Sequence, residues 1–282
     1  MEVIATVAEL QGALKPLKAK GLKIALVPTM GALHNGHLSL IAEAQKQADV
    51  VVCSIFVNPT QFTDPKDLEK YPRPLAHDIK MLTEAGCNFV FMPSVKEMYP
   101  SYPAPEHWKI DLGAAEFVLE GEFRRGHYQG VTQIVFKLFD AVKPNIAFFG
   151  QKDFQQVLMI KNMVDELALD VQIVTCPIIR EEDGLAMSSR NIHLSKADRA
   201  HSLVLSKALF FIEENYEKQS FADLLAQAKQ IVSQTPGVEL DYLTIVDGDT
   251  LLPITEKAHQ NTVALVAAKV GETRLIDNVI IN

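Results

Sequence analysis

The feature that most constrains this chain is an alternation of short apolar runs with helix-forming stretches, joined by glycine-bearing turns. "LKIALV" (22–27) is short and apolar, and "PTMGALHNGH" (28–37) carries two glycines, a proline and two histidines. "LSLIAEAQKQA" follows, rich in helix formers, and then "VVVCSIFV" (50–57), which is strongly β-prone. Strand, turn, helix and strand in that order predict a βαβ unit, which requires a parallel sheet. The alternation continues with a helix over 77–86 ending on Gly86, the strand "CNFVFMP", a helix over 130–142 and a strand over 145–150. A helix in "DFQQVLMIKNMVDELAL" and a strand in "VQIVTCPII" complete it. Residues 99–110 hold Pro100, Pro103 and Pro105 and read as an ordered surface loop. Near the start, "TVAE" has the capping-box pattern of a helix ending near Gly21, which Pro16 is expected to interrupt or kink.

Beyond about residue 190 the texture changes. "LSKADRAHSLVLSKALFFIEENYEK" reads as a long amphipathic helix with Ser195 as cap and Asp198 at the capping-box position. "FADLLAQAKQIVSQ" reads as another, and "LDYLTIVD", "TVALVAAKV" and "TRLIDNVII" as strands. The expected division is a doubly wound α/β domain over 1–180 and a small α+β domain over 181–282, a length of 282 residues being ample for two cores. A net charge of −8 argues against a broad nucleic-acid-binding face. Cys53, Cys87 and Cys176 are too scattered for a disulfide framework or a zinc site and read as buried free thiols. "MEVIATVAEL" lacks a signal-peptide pattern, and no apolar run approaches the roughly 18 residues of a membrane span. A cytoplasmic protein with neither membrane nor nucleic acid as partner is expected.

Five stretches carry candidate chemistry. His34 and His37 stand three apart near a helix start, where free N–H groups and the positive end of the dipole suit phosphate oxygens. A tight turn that merely satisfies its own backbone fits the same spacing; a metal site does not, because no further ligands appear at recognisable spacing. In "FGQKDFQQ" (149–156), Gly150 ends a strand, Lys152 offers a point charge, Asp153 a cap or a hold on Mg²⁺-bound water, and Gln155 and Gln156 read polar groups. "GLAMSSRN" (184–191) combines Ser188, Ser189 and Arg190 as a phosphate clamp or a polar linker. "FVNPTQF" (56–62) places Asn58 and Gln61 on a loop after a strand. "EGEFRRGHYQGV" (120–131), with Arg124, Arg125 and His127, reads as a flexible basic loop or a solvated turn. Several of these follow strands of one parallel sheet, and phosphate-type groups beside neutral polar readers suit a nucleoside triphosphate next to a small polar substrate.

In this order, "PTMGALHNGH", "FVNPTQF", "YPR", "GHYQGV", "KLF", "FGQKDFQQ", "GLAMSSRN" and "RLIDN" resemble the pantothenate synthetase (pantoate–β-alanine ligase) family, from about residue 20 to residue 278. The resemblance implies a Rossmann-like nucleotidyltransferase domain with a parallel sheet, and a small α+β C-terminal domain acting as a lid. "HNGH" is similar to the HIGH signature of class I aminoacyl-tRNA synthetases, and "MSSRN" to their KMSKS loop. It implies ATP as substrate with Mg²⁺ bound through its phosphates, (R)-pantoate and β-alanine as the other substrates, and a homodimer. Pantoyl adenylate and pyrophosphate form first; β-alanine then releases pantothenate and AMP. The ATP-binding positions implied are Met30, Gly31, Ala32, Leu33, His34, Asn35, Gly36 and His37, then Gly150, Gln151, Lys152 and Asp153, then Met187, Ser188, Ser189 and Arg190, with Ile179 at the adenine. His37, His34 and Lys152 are the implied catalytic residues, and Gln61, Gln156 and Asn58 the substrate-binding ones.

Two departures stand out. Arg124-Arg125-Gly126-His127-Tyr128 replaces the family's usual Arg-Pro-Gly-His-Phe, so a looser turn is expected there. Pro74, Leu75 and Ala76 replace Thr-Leu-Glu, so the helix start is expected to shift. The other readings are a nucleotidyltransferase whose product keeps the nucleotide, or a non-catalytic nucleotide-binding protein, against which the intact motif residues argue.

Overall fold

The computed structural model describes residues 1–257 and 260–281. Six strands, β1 (Glu2–Ile4), β2 (Ile24–Thr29), β3 (Val50–Ile55), β4 (Phe89–Phe91), β5 (Ile146–Gly150) and β6 (Gln172–Cys176), form one parallel sheet in the order β1-β4-β3-β2-β5-β6. Interleaved with them are α1 (Val7–Ala19), α2 (Asn35–Gln47), α3 (Pro65–Lys70), α4 (Leu75–Glu84), α5 (Val95–Met98), α6 (Glu120–Phe123), α7 (His127–Val142) and α8 (Phe154–Glu166). The inner strands β2, β3 and β5 are near-continuously apolar and buried because both faces of such a sheet are covered there. Ala25, Val27, Val51, Cys53, Ile146 and Phe148 pack with Leu40, Ile41 and Ala44 of α2 in one buried cluster. Asn145 fixes the register of three strands: its Oδ1 accepts from the Ile24 N–H at 2.8 Å, its N–H donates to the Ile24 carbonyl at 2.9 Å, and its carbonyl accepts from the Gln172 N–H at 3.0 Å.

Strand order places β2 beside β5, with β3 on the far side of β2 and β6 on the far side of β5. The chain therefore leaves these two neighbours in opposite directions, and the crevice outside their carboxyl ends is where open α/β sheets bind ligands. Residues 30–37 follow β2 there, and Gly150 ends β5.

One expectation needs correction, and one strand escapes the sequence. Pro16 lies within α1 and does not interrupt it. The Thr6–Glu9 capping box fixes the start, Leu10 and Leu14 are fully buried, and the proline near the C-terminal turn forfeits a single backbone bond. Strand β1, only three residues long, has no alternation to betray it and is defined by parallel pairing of Glu2–Ile4 with Phe89–Phe91.

Residues Met1–Gly150 and Gln156–Cys176 form one compact unit, and Gln151–Gln155 with Pro177–Asn282 a second. In the second, α9 (Lys196–Asn215) and α10 (Phe221–Ser233) cover an antiparallel sheet of β7 (Val238–Asp247), β8 (Thr262–Val270) and β9 (Thr273–Ile280). Leu205, Leu209 and Ile212 of α9 and Leu224, Ala228 and Val232 of α10 pack with Leu243, Ile245 and Val266. Ser195 caps α9 by accepting the Asp198 N–H at 3.1 Å. Cys53, Cys87 and Cys176 are buried free thiols. No helix among the described residues is long and apolar enough to cross a membrane.

Candidate active site

In the first unit, the turn after β2 is defined by its own polar contacts. His34 is the N-cap of α2 and His37 its third residue. His34 Nδ1 accepts the Gly36 N–H at 3.2 Å, and His37 Nδ1 accepts the His34 N–H at 3.3 Å. An amide N–H only donates, so in each neutral ring Nδ1 carries the lone pair and the proton sits on Nε2. The two rings lie 4.1 Å apart between centroids, tilted by 36°. The result is a pair of imidazoles whose Nε2–H groups act as donors at a helix N-terminus, a chemistry suited to anionic oxygen.

Most amides of this turn and helix start are already taken. Gly31 donates to Thr29 Oγ1 at 3.2 Å, Ala32 and Leu33 donate to Oδ2 and Oδ1 of Asp78 at 2.8 Å each, and His37 donates to the His34 carbonyl at 2.8 Å. With His34 and Gly36 bound to imidazole nitrogens, the turn is saturated internally at these positions. Backbone readings from sequence assume ordinary caps; here histidines and a distant carboxylate take the donors.

Next to this turn, Asn58 caps a single 3₁₀ turn, Pro59–Gln61, which Gln61 ends. Asn58, 1% exposed, accepts from Thr60 and donates through Nδ2 to the Gly130 carbonyl at 3.0 Å and to Gln61 Oε1 at 3.2 Å. Gln61 Nε2 lies 3.2 Å from Met30 Sδ. His127 Nδ1 is 2.8 Å from the Gln61 carbonyl, which only accepts, so His127 is the donor there and its Nε2 takes the Arg124 Nη1 contact at 3.3 Å as acceptor. The reading of 120–131 as a flexible loop or solvated turn is thereby corrected. Residues 120–123 are helical, His127 is buried and opens α7, and α7 starts three residues before the helix expected over 130–142. Gly126 stands left-handed at φ +79° immediately before it. Helix α4 begins at Leu75 without a side-chain cap.

In the second unit, Gln151–Asp153 forms a 3₁₀ turn held by Asn278 of β9. Asn278 Nδ2 donates to the carbonyls of Gln151 and Lys152 at 3.0 and 2.9 Å, and its Oδ1 accepts from Gln151 Nε2 at 3.1 Å. Lys152 Nζ stands 3.7 Å from Asp153 Oδ1. The neighbouring Asp277 is clamped by Arg180 through Nη1–Oδ2 at 2.6 Å and Nη2–Oδ1 at 3.0 Å, and the guanidinium lies over the Phe210 ring. Burial pushes the Asp277 carboxyl up from the ordinary aspartate value, while the Arg180 guanidinium opposes the rise. Ile179 and Met187 face each other across a hairpin, the Met187 N–H donating to the Ile179 carbonyl at 3.0 Å, with Arg180 paired to Ala186 and Gly184 at the turn. Ser188 caps the following 3₁₀ turn, Ser189–His193, through the Arg190 N–H at 3.3 Å. Asn191 Nδ2 ties this turn to Glu181 Oε1 at 2.9 Å.

The sequence profile described as Pantoate-beta-alanine ligase matches residues 2–280 of this chain. The chain belongs to the pantoate-beta-alanine ligase family. The pantothenate synthetase of Bacteroides fragilis is 46% identical over 280 residues, covering 99% of this chain and 98% of that protein. That of Acetivibrio thermocellus is 47% identical over 286 residues, covering 100% and 99%. The crystal structure of the Thermus thermophilus pantothenate synthetase matches with a TM-score of 0.93 at 41% identity, covering 100% of this chain and 99% of that one. The Francisella tularensis pantoate-beta-alanine ligase, solved in complex with beta-gamma ATP and beta-alanine, matches with a TM-score of 0.78 at 34% identity, covering 99% and 97%.

Within this ligase, the structure brings together Met30, Asn58 and Gln61 in one cluster, and His34 with His37 in another, both in the first unit. Gln156 stands half-buried on the first turn of α8. In the second unit Ile179 meets Met187, and Lys152 meets Asp153. Two residues that hold these groups in place, Asp78 and Asn278, are absent from the residues the sequence singles out, and His127 is singled out there only as part of a basic loop. "RLIDN" and "GHYQGV" carried Asn278 and His127 as motif letters; Asp78 lay in "YPRPLAHD" with no signal of its own.

Proposed function

We propose that this ligase joins (R)-pantoate to β-alanine through an enzyme-bound pantoyl adenylate, with ATP as the source of the adenylyl group. In the first step a pantoate carboxylate oxygen bonds to the α-phosphorus and the bond to the pyrophosphate oxygen breaks. In the second, the β-alanine amine attacks the acyl carbon, the acyl–oxygen bond breaks, and AMP leaves. The carboxylate is already ionised near neutral pH, so the first step needs no strong base. What it needs is relief of repulsion and of charge building on the leaving pyrophosphate, which preorganised donors supply.

The observation that carries this reading is that His34 and His37 each accept a backbone N–H through Nδ1, which leaves Nε2 of the neutral ring to carry the proton. In the proposal these two Nε2–H groups and the Lys152 ammonium hold the phosphates. Met30–His37, Gly150–Asp153, Ile179 and Met187–Arg190 are assigned to ATP binding in the same proposal. Gln61 and Gln156 hold pantoate. Asn58, with its amide engaged by Gly130, Thr60 and Gln61, orients Gln61. The assignment of residues 181–282 as a lid that keeps water from the mixed anhydride belongs to the same proposal. Mg²⁺ is assigned to the phosphates of ATP, whose charge it neutralises. In the proposal the phosphate oxygens and water are its ligands, and no residue of the chain is assigned to it. A homodimer in the cytoplasm completes the proposal, and sedimentation equilibrium reads the oligomeric state.

AMP release from ATP, measured with each acid and amine omitted in turn, tests the reaction. AMP formation must require both pantoate and β-alanine at the steady state. Equal release without pantoate contradicts it.

A further inference from the structure

The turn after β2 already contains an anion. Gly31 and Ala32 both have positive φ, +77° and +51°, a curl that turns successive N–H groups toward one point. Two of those N–H groups, of Ala32 and Leu33, end on the two oxygens of one carboxylate, Asp78, at 2.8 Å each. Asp78 is 1% exposed and sits in the first turn of α4. A Cβ on Gly31 would lie 2.9 Å from Asp78 Oδ2 and 3.1 Å from Ile55 Cγ2, so the curl is closed tightly around the carboxylate. Ala32 carries a conformational penalty for its left-handed backbone, and the charged acceptor is what offsets it.

We infer that Asp78 is a built-in anion that fills the backbone nest of residues 31–33 and thereby acts as the positioning residue for His34 and His37. In many nucleotide-binding turns, such a nest cradles phosphate directly. Here the nest is taken, and Leu33, one of its two donors, immediately precedes the N-cap His34. The bidentate carboxylate therefore sets where the cap begins and hence where both imidazoles point. Phosphate recognition passes from the backbone to the two Nε2–H groups. This last statement rests on the proposed phosphate role of the histidines; the filled nest does not.

The experiment replaces the anion. Asp78→Ala removes the carboxylate and leaves a cavity the size of formate. Thermal midpoint and pantoate-dependent AMP release are measured with added sodium formate, and with formamide as its neutral counterpart at equal ionic strength. A misplaced reacting group costs about 10²-fold, so kcat of the variant should fall by that order, more than the KM for ATP rises. Formate, and not formamide, should raise the midpoint of the variant and recover part of kcat, while leaving the wild type unchanged. Formate acting no better than formamide overturns the inference, as does a folded Asp78→Ala with wild-type kcat. Should Asp78→Ala fail to fold, Asp78→Asn decides: it retains one acceptor oxygen, should lose about tenfold in kcat, and overturns the inference at wild-type kcat. If His34→Ala and His37→Ala keep wild-type turnover while formate still stabilises Asp78→Ala, the phosphate role of the histidines fails and the filled nest stands.

Discussion

Asn278 and Lys152, 126 residues apart in the chain, are joined by a hydrogen bond of 2.9 Å from the Asn278 side-chain amide to the Lys152 carbonyl. The same amide reaches the Gln151 carbonyl, and its oxygen takes the Gln151 side-chain N–H, so one asparagine fixes the backbone that presents the lysine. Asn278 is 1% exposed, and its removal would strand polar groups away from water. Asn278→Ala should destabilise the protein by about 1–3 kcal/mol and lower kcat by more than it raises KM for β-alanine. Asn278→Asp separates shape from donor chemistry. Its ionised carboxylate can only accept and would face two carbonyl oxygens, so it should be no more stable than Asn278→Ala at neutral pH. Chemical denaturation of the two variants side by side checks this; an Asp variant of wild-type stability contradicts it.

At Gly130, helix α7 comes close to the backbone of the Asn58–Gln61 turn. A Cβ there would lie 2.4 Å from the Thr60 carbonyl oxygen and 2.8 Å from Gln61 Cα, which are backbone atoms and cannot swing aside. Gly130→Ala should therefore push α7 off the Asn58–Gln61 turn, breaking the Asn58–Gly130 bond, at a cost of about 1–3 kcal/mol. Because Gln61 sits in that turn, the KM for pantoate should rise as well. A variant of unchanged stability and unchanged KM contradicts this packing.

Cys87 and Cys176 have thiols pushed up to about 11 by burial, and burial raises Cys53 well above the ordinary range. A group whose folded value is raised above its unfolded one lends stability below the unfolded pKa, roughly 8.5, and loses it as pH climbs toward the folded value. Stability should fall between pH 8.5 and 11 by an amount that shrinks when the cysteines are replaced by alanine or valine. At pH 8 the native thiols should react with iodoacetamide far more slowly than the same thiols in denaturant, because the thiolate is the nucleophile. Rapid native alkylation contradicts it.

The legibility of the chain followed the range of the interactions involved. The β2–α2–β3 unit was readable because its signals are local: apolar runs, a glycine turn and helix formers in direct succession. Ser195 and Asp198 were readable as a cap for the same reason. Pro16 misled because the burial of Leu10 and Leu14 and the Thr6–Glu9 cap outweigh one lost backbone bond. The histidine turn was half legible. Its place at a helix start was plain, but imidazole nitrogens capping the amides, and a carboxylate 45 residues away taking two more, leave no trace in local sequence. Asp78, His127 and Asn278 act on backbone atoms far along the chain, and only the folded chain brings such pairs together.

Lys152 carries the charge assigned to the phosphates in the second unit. Lys152→Ala should fold normally, since its ammonium pairs with Asp153 only loosely, at 3.7 Å, and should lower kcat by about 10². Circular dichroism and turnover on the same sample check this; a folded variant with wild-type turnover removes Lys152 from the assignment.

The central claim, adenylation of pantoate at a site built on His34 and His37, is tested most directly by pantoate-dependent exchange of labelled pyrophosphate into ATP without β-alanine. The wild type should exchange only when pantoate is present, and His37→Ala, folded as judged by its thermal midpoint, should be slower by about 10² or more. Exchange that proceeds without pantoate, or at the wild-type rate in folded His37→Ala, would contradict it.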